Sequence, residues 1–385
     1  MFYRTTEVKT RSDFNEFFKL PFRIYAGNVF WVPPVKSEFE RILNTDRNPY
    51  FLNASLKLFI TCREDTAVAR CAVVIDRLHQ QKHKRKNAFF GFFESINSDE
   101  AVKSLMETVE KYCRSQKVEV IEGPFNPNLY SELGLLADNF ETPPSFFQTY
   151  NPPYYKSLLE KAGFSVKMIL HTRSNKNLTD FLKKNYPGNL SIESSDMRIR
   201  SFNIKRKEAD LDHLREIYNN AFSENWHFTP VSRDEYIFSA KYLGLVTPPE
   251  LIKFVEYKGK PVGVIQFSLD INPLMKSFRG KFSPLRYLNL IRNRKNIKRA
   301  IIFAVGIKKE YQHTMASRLL LNATILLARN YTELETTWMY NDNKSAIKSA
   351  ESLGMLPEKH YLILGKRIAT VEYKDPQLTE SIVKD

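Results

Sequence analysis

The run Glu333-Leu-Glu-Thr-Thr-Trp-Met-Tyr340 puts two carboxylates, two hydroxyls and two aromatic rings on one strand-like segment. Strand alternation sets Glu333, Glu335, Thr337 and Met339 on one face and Leu334, Thr336, Trp338 and Tyr340 on the other. A carboxylate near an ammonium group can take its proton, directly or through water. The plainer reading of such residues is a solvated surface. His79 and His83 stand four apart, a helical metal-pair spacing, but no partnering acid motif accompanies them and they read as solvated loop histidines. Cys62, Cys71 and Cys113 show neither metal-ligand nor redox spacing and read as reduced cysteines of a cytosolic protein. No metal is expected. Gly-x-Ser-x-Gly elbows, P-loops and dinucleotide fingerprints are absent from the sequence.

Composition narrows the class. With 385 residues, 43% apolar and 26% charged, the chain has room for two cores. No apolar run approaches the ~20 residues of a membrane span, and the opening Met1-Phe2-Tyr3-Arg4 lacks a signal-peptide h-region, so a cytoplasmic protein is expected. The net charge of +15 favours a polyanionic partner: nucleic acid, an anionic membrane face or a phosphate-rich ligand. Nine Lys and Arg fall within Lys276–Arg299, with no acid among them and Phe278, Phe282, Leu285, Leu288 and Ile291 interleaved. Such a basic amphipathic segment reads as a membrane-surface element, peripheral on the inner face, or less readily as a nucleic-acid contact.

The elements that would position these groups come from a duplication. Trp31-Val-Pro-Pro and Trp226-His-Phe-Thr-Pro lie 195 residues apart. Asp76 and Asp270 close matching strand pairs 194 apart, the basic clusters starting at Lys82 and Lys276 repeat that offset, and Gly163 and Gly354 are 191 apart. Each copy reads helix, strand, strand, basic insertion, strand, helix, strand, helix, strand. In the second copy these fall near 208–222, 251–257, 261–270, 276–299, 300–307, 315–330, 332–340, 343–353 and 358–366. An α/β (α+β) fold follows, each copy a mixed twisted sheet with helices on both faces. The expected division is 1–175, a connecting region 176–200, a second domain 201–370 and a frayed tail 371–385.

This order resembles the GNAT superfamily of acyl-CoA N-acyltransferases. In that family a strand feeds a Gln/Arg-x-x-Gly-x-Gly/Ala turn whose amides hold the pyrophosphate of coenzyme A at a helix N-terminus. Val305 and Ile307 would lie on that strand, and Gln312, His313, Thr314, Met315, Ala316 and Ser317 on the turn. Gln312 stands at the motif's first position, but Met315 and Ser317 replace its small residues. Asn343, Ala346 and Gly354 match a second family segment, whose aromatic acid is replaced by Ala350. Tyr361 and Tyr340 are then the candidate acids, if one is needed, and Glu335 the candidate base. Tyr25-Ala-Gly27 through Trp31-Val-Pro-Pro34 and Phe89–Glu94 are similar to poorly characterised bacterial tandem GNAT-like proteins, and the general organisation to bacterial ceramide synthases.

In the first copy, Asn97-Ser-Asp-Glu100 precedes the equivalent helix and its carboxylates would compete with a phosphate. That copy is expected to lack a donor site and to form a wall of the acceptor groove, with Trp226, Trp338, Tyr150 and Tyr154 as substrate contacts. The resemblance implies acyl transfer from acyl-CoA to an amine, such as the long-chain base that ceramide synthases acylate. The alternatives are a Fem-like transferase using aminoacyl-tRNA, and a degenerate, non-catalytic acyl-binding protein.

Overall fold

The computed structural model describes residues 2–241 and 243–368; the tail assigned to 371–385 lies outside them. Sixteen strands follow in order. The first copy contributes β1 (Tyr3–Glu7), β2 (Ala54–Arg63), β3 (Thr66–Asp76), β4 (Asn87–Ser95), β5 (Val120–Gly123), β6 (Phe125–Asn126), β7 (Glu132–Leu133), β8 (Leu135–Leu136) and β9 (Ser165–Asn175). The second contributes β10 (Met197–Ser201), β11 (Ile252–Tyr257), β12 (Lys260–Leu269), β13 (Arg299–Ile307), β14 (Glu333–Thr336), β15 (Met339–Tyr340) and β16 (Leu356–Arg367).

One sheet spans both copies, in the order β1-β2-β3-β4-β5-β16-β9-β14-β13-β12-β11-β10, with β8 beside β16 and β15 beside β9. The last strand of each copy therefore completes the other's sheet: β16 pairs with β5, and β9 pairs with β14 and β15. β9 and β16 run antiparallel along each other at the centre.

The burial of β3 shows why both faces are covered. Ala69, Cys71, Val73 and Ile75 pack with Ala101, Val102, Leu105, Met106, Val109 and Cys113 of the helix Asp99–Ser115. The alternate residues Arg70, Val74 and Asp76 face the other layer, as a two-residue period requires. Ser98 caps that helix by accepting the Ala101 amide at 3.2 Å. The serine hydroxyl takes one first-turn amide, and the Glu100 carboxylate, held below its ordinary value by its own backbone N–H, takes another. In the second copy the helix Met315–Ala328 buries Leu319, Leu320, Ala323 and Leu327 with Ile265, Phe267 and Leu269 of β12.

Expected and observed elements of the second copy agree within a few residues, with one break. The strand expected over 332–340 splits at Thr337, whose amide donates to Ile302 O at 3.1 Å and whose hydroxyl donates to Phe303 O at 3.1 Å. The chain then continues as β15, paired with β9 rather than β13.

Candidate functional site between the two copies

β13 pairs in parallel with β14 only over Arg299–Ile302 and Glu333–Thr336. Beyond Ile302 the two strands part. β4 and β5 part in the same way after Phe89 and Glu122. Between these openings lies a cavity of about 770 Å³, walled by both copies. Its walls are mainly apolar: Trp31 to Val35 on one side, Phe146, Phe147 and Phe303 on another, and Phe278, Phe282 and Leu290 of the basic insertion at a third.

Of the expected catalytic residues, Glu335 is 2% exposed. It accepts from Ser145 Oγ at 2.5 Å and Gln148 Nε2 at 2.6 Å, and lies 3.8 Å from both Arg299 and Lys359. The solvated reading is therefore overturned. Glu335 stands behind the cavity wall rather than on it, with Gln148 between. Gln148 Oε1 accepts from the Ser145 amide at 3.0 Å, Lys359 Nζ at 3.2 Å and Tyr361 Oη at 3.3 Å. Two of the nominated side chains, Glu335 and Tyr361, thus meet on one glutamine that faces the cavity. Burial lowers the Lys359 ammonium and holds Tyr361 well above the ordinary phenol value. Asp270 is pushed up to about 6 by burial. Tyr340 is elsewhere, donating to Trp226 O at 3.3 Å.

The nominated donor residues lie on β13, at the helix start Asn343 and at the turn before Met315–Ala328, where Gln312, His313 and Thr314 are exposed. Val305 is on the open part of β13 with 43% exposure, and Ile307 O accepts from Gln312 Nε2 at 3.3 Å. His313 adopts a left-handed φ of 61° where a glycine would be unstrained. Thr314 accepts the Ala316 amide at 3.2 Å, filling one of the helix's open donors itself. Met315 is exposed, Ala316 fully buried and Ser317 exposed. Asn343 caps the helix Lys344–Ser352 through the Ala346 amide at 3.1 Å. None of these turn residues lines the cavity.

Tyr150 does line it, its hydroxyl donating to Phe140 O at 3.0 Å. Tyr154 does not: its hydroxyl is taken by Ser95 O at 2.9 Å, and Tyr155 faces the cavity instead, because a helix starts there and turns the next residue inward. Trp226 and Trp338 pack beside the cluster containing Phe125 and Tyr340, outside the cavity.

Sequence reasoning missed the cavity's polar fittings. Glu94 accepts from Tyr25 Oη at 2.9 Å and Tyr155 Oη at 2.7 Å and lies 3.6 Å from Arg70, and burial raises its carboxyl. Glu132 is exposed on the cavity wall, and desolvation there pushes its carboxyl up to about 7. His79 and His83 are corrected as well. His79 is 1% exposed, bonded to Asn87 at 3.0 Å and to His227 of the other copy at 2.7 Å, and burial holds it down at about 3. His83 Nε2 is 2.9 Å from Phe228 O. In the Lys82 cluster, Arg85 and Lys86 approach Glu122 and Glu119, Lys82 lies over the Phe228 ring, and all three, with Lys84, are exposed. Arg299, counted in the basic run, is committed to Glu333, Asp270 and Glu335. Among the described residues no group of three His, Cys, Asp or Glu is placed to hold a metal, and no helix is long and apolar enough to cross a membrane.

No protein-family model matches the chain. It is 27% identical over 377 residues to the bacterial ceramide synthase of Caulobacter vibrioides, covering 94% of this chain and 96% of that one. It is 25% identical over 370 residues to protein YghO of Escherichia coli K12, covering 93% and 94%. Among solved structures, a tandem GNAT protein from the clavulanic acid biosynthesis pathway superposes with a TM-score of 0.56 at 10% identity, covering 95% and 98%. A probable N-acyltransferase from Enterococcus faecalis V583 superposes with a TM-score of 0.55 at 8% identity, covering 96% and 74%. The fold is that of the tandem GNAT acyltransferases.

Proposed function

We propose that this tandem GNAT-type protein is an N-acyltransferase that moves a long acyl chain from coenzyme A to the amine of a lipid-like acceptor at a membrane surface. The observation that carries the proposal is the cavity of about 770 Å³ with mostly apolar walls, set between two splayed strand pairs. It falls within the ~300–1,000 Å³ of sites that enclose sizeable ligands, far more than an acetyl group needs.

The basic insertion supports a membrane source for the acceptor. Phe278, Phe282, Tyr287 and Leu290 wall the cavity, while Leu285 and Leu288 of the same segment are 79% and 54% exposed. Arg279, Lys281, Arg292, Lys295 and Lys298 are exposed around them. Cations at an anionic leaflet contribute about 1 kcal/mol each, so the segment would lie on the bilayer with the cavity mouth beside it.

Binding of the donor's pyrophosphate is assigned to the turn Gln312–Ser317, the acyl chain to the cavity, and the Glu335–Gln148–Tyr361 chain to orienting the reacting groups. The Thr314 cap and the absent glycines favour one rival, a non-catalytic acyl-binding protein. Incubation with palmitoyl-CoA and sphinganine, with mass detection of the amide and release of free thiol, separates the two. Amide formation supports transfer. Stabilisation by palmitoyl-CoA with no amide from any amine tested leaves the binding protein, and stabilisation by tRNA alone moves the assignment to an aminoacyl donor.

A further inference from the structure

Five carboxylates line the cavity, and four are already engaged. Glu38 pairs with Arg41 at 2.6 Å. Asp76 accepts the His79 amide at 2.9 Å and also bonds Tyr50. Glu94 is held by Tyr25, Tyr155 and Arg70. Glu235 accepts the Ser232 amide at 2.8 Å in a capping box. Of the five, Glu132 alone has a carboxylate with neither a hydrogen bond nor an ion pair to the described residues, and it faces the cavity.

Its position is fixed from both sides. β6 and β7 pair through Phe125 with Leu133 and Asn126 with Glu132. Asn126 Oδ1 accepts the Phe92 amide at 2.6 Å, and Gly91 lets the Phe125 carbonyl come so close that a Cβ there would sit 1.7 Å from it. On the other side Gly134, at a φ of 84°, backs onto Tyr361, where a Cβ would meet the tyrosine Cβ at 2.8 Å. The backbone that carries Glu132 is thus held against β4 and β16, which fixes where its side chain enters the cavity.

Resting on the N-acyltransferase reading, we infer that Glu132 is the general base that deprotonates the acceptor ammonium in the cavity. The carboxylate takes one proton, so an N–H bond breaks and an O–H bond forms. The freed lone pair attacks the thioester carbonyl carbon. A C–N bond forms, and the C–S bond breaks with its electron pair leaving on sulfur. The second nitrogen proton goes to the thiolate, giving free coenzyme A. Glu132 returns its proton to water. One amide, one thiol and one released proton balance one thioester and one ammonium.

A carboxyl at about 7 is half ionised near neutrality, where a base of that strength is most effective. Its charge acts on Tyr361, whose phenol it helps keep protonated, and no charged neighbour offsets its own desolvation. Glu335 is unsuited to direct contact, since Ser145 and Gln148 already donate to its two oxygens behind the wall.

The test is the pH profile of amide formation from palmitoyl-CoA and sphinganine in wild type, Glu132→Gln and Glu132→Asp. In wild type, activity should rise along a limb centred near pH 7. Glu132→Gln should lower kcat ~10²–10⁴-fold, lose that limb and keep its thermal stabilisation by palmitoyl-CoA, and Glu132→Asp should recover part of the rate. An active wild type with Glu132→Gln within tenfold of it, or with the limb retained, overturns the base assignment alone. A wild type that binds the thioester and acylates no amine overturns the assignment and the reading beneath it together.

Discussion

A desolvated carboxylate held for chemistry should cost stability, and Glu132→Gln measures that cost without reference to any substrate. The carboxyl sits at about 7 against an ordinary 4.5. The unfolded chain therefore ionises first as pH rises. Between pH 4.5 and 7 the folded state binds more protons, so its stability falls across that window and is level above it. At ~1.4 kcal/mol per pH unit, the ceiling is roughly 3.4 kcal/mol at pH 8. Glu132 is exposed to the cavity, so solvent screening leaves about half of this, ~1.5 kcal/mol, as the expected effect. Urea unfolding of both proteins at pH 5 and pH 8 reads it directly. The two should be nearly equal at pH 5, and the glutamine variant more stable by ~1.5 kcal/mol at pH 8. Equal stability at both pH values, or a variant weaker at pH 8, would show that the carboxylate is well solvated or partnered and would refute the reasoning.

Other expectations follow from the same geometry. His79, held at about 3, must remain neutral in the fold, so its contribution is intact above pH 6.5 and is lost as pH falls. By pH 5 the loss should reach ~2 kcal/mol, and His79→Gln should flatten that acid limb of the stability curve. Gly91→Ala drives a Cβ into the Phe125 carbonyl; destabilisation by ~3 kcal/mol or more is expected, with detachment of the hairpin that carries Glu132. Replacing exposed Leu285 and Leu288 by Ser should weaken binding to phosphatidylserine vesicles in flotation assays and leave the melting temperature within a degree or two. High salt should weaken binding of the unaltered protein too.

What was legible in the sequence was local. The strands at 251–257 and 261–270 emerge within a residue of their expected ends, because β-rich runs, a charged turn and an aspartate stop are all encoded nearby. The exchange of β9 and β16 was not legible, since a long apolar strand carries no record of which neighbour it will pair with. Glu335 was found from its strand, but its burial depends on Ser145, Gln148 and Lys359, which are remote in sequence. Glu132 was missed because a two-residue strand has no periodic signature. A faint signal existed: it is the one acid in the apolar, Asn- and Pro-rich stretch from Gly123 to Ala137.

The crossed pairing of β5 with β16 has a consequence for how the protein is made. The edge at Val120–Gly123 finds its partner only in Leu356–Arg367. At ~5–20 residues per second of synthesis, more than 230 residues separate the two by roughly 10–50 s. Until then the first half emerges from the ribosome with an open, apolar strand edge, the kind of surface that invites aggregation. Expressing residues 1–175 alone would make that interval permanent. Both halves of the duplication are thus bound to a single act of folding, completed by the strand Leu356–Arg367.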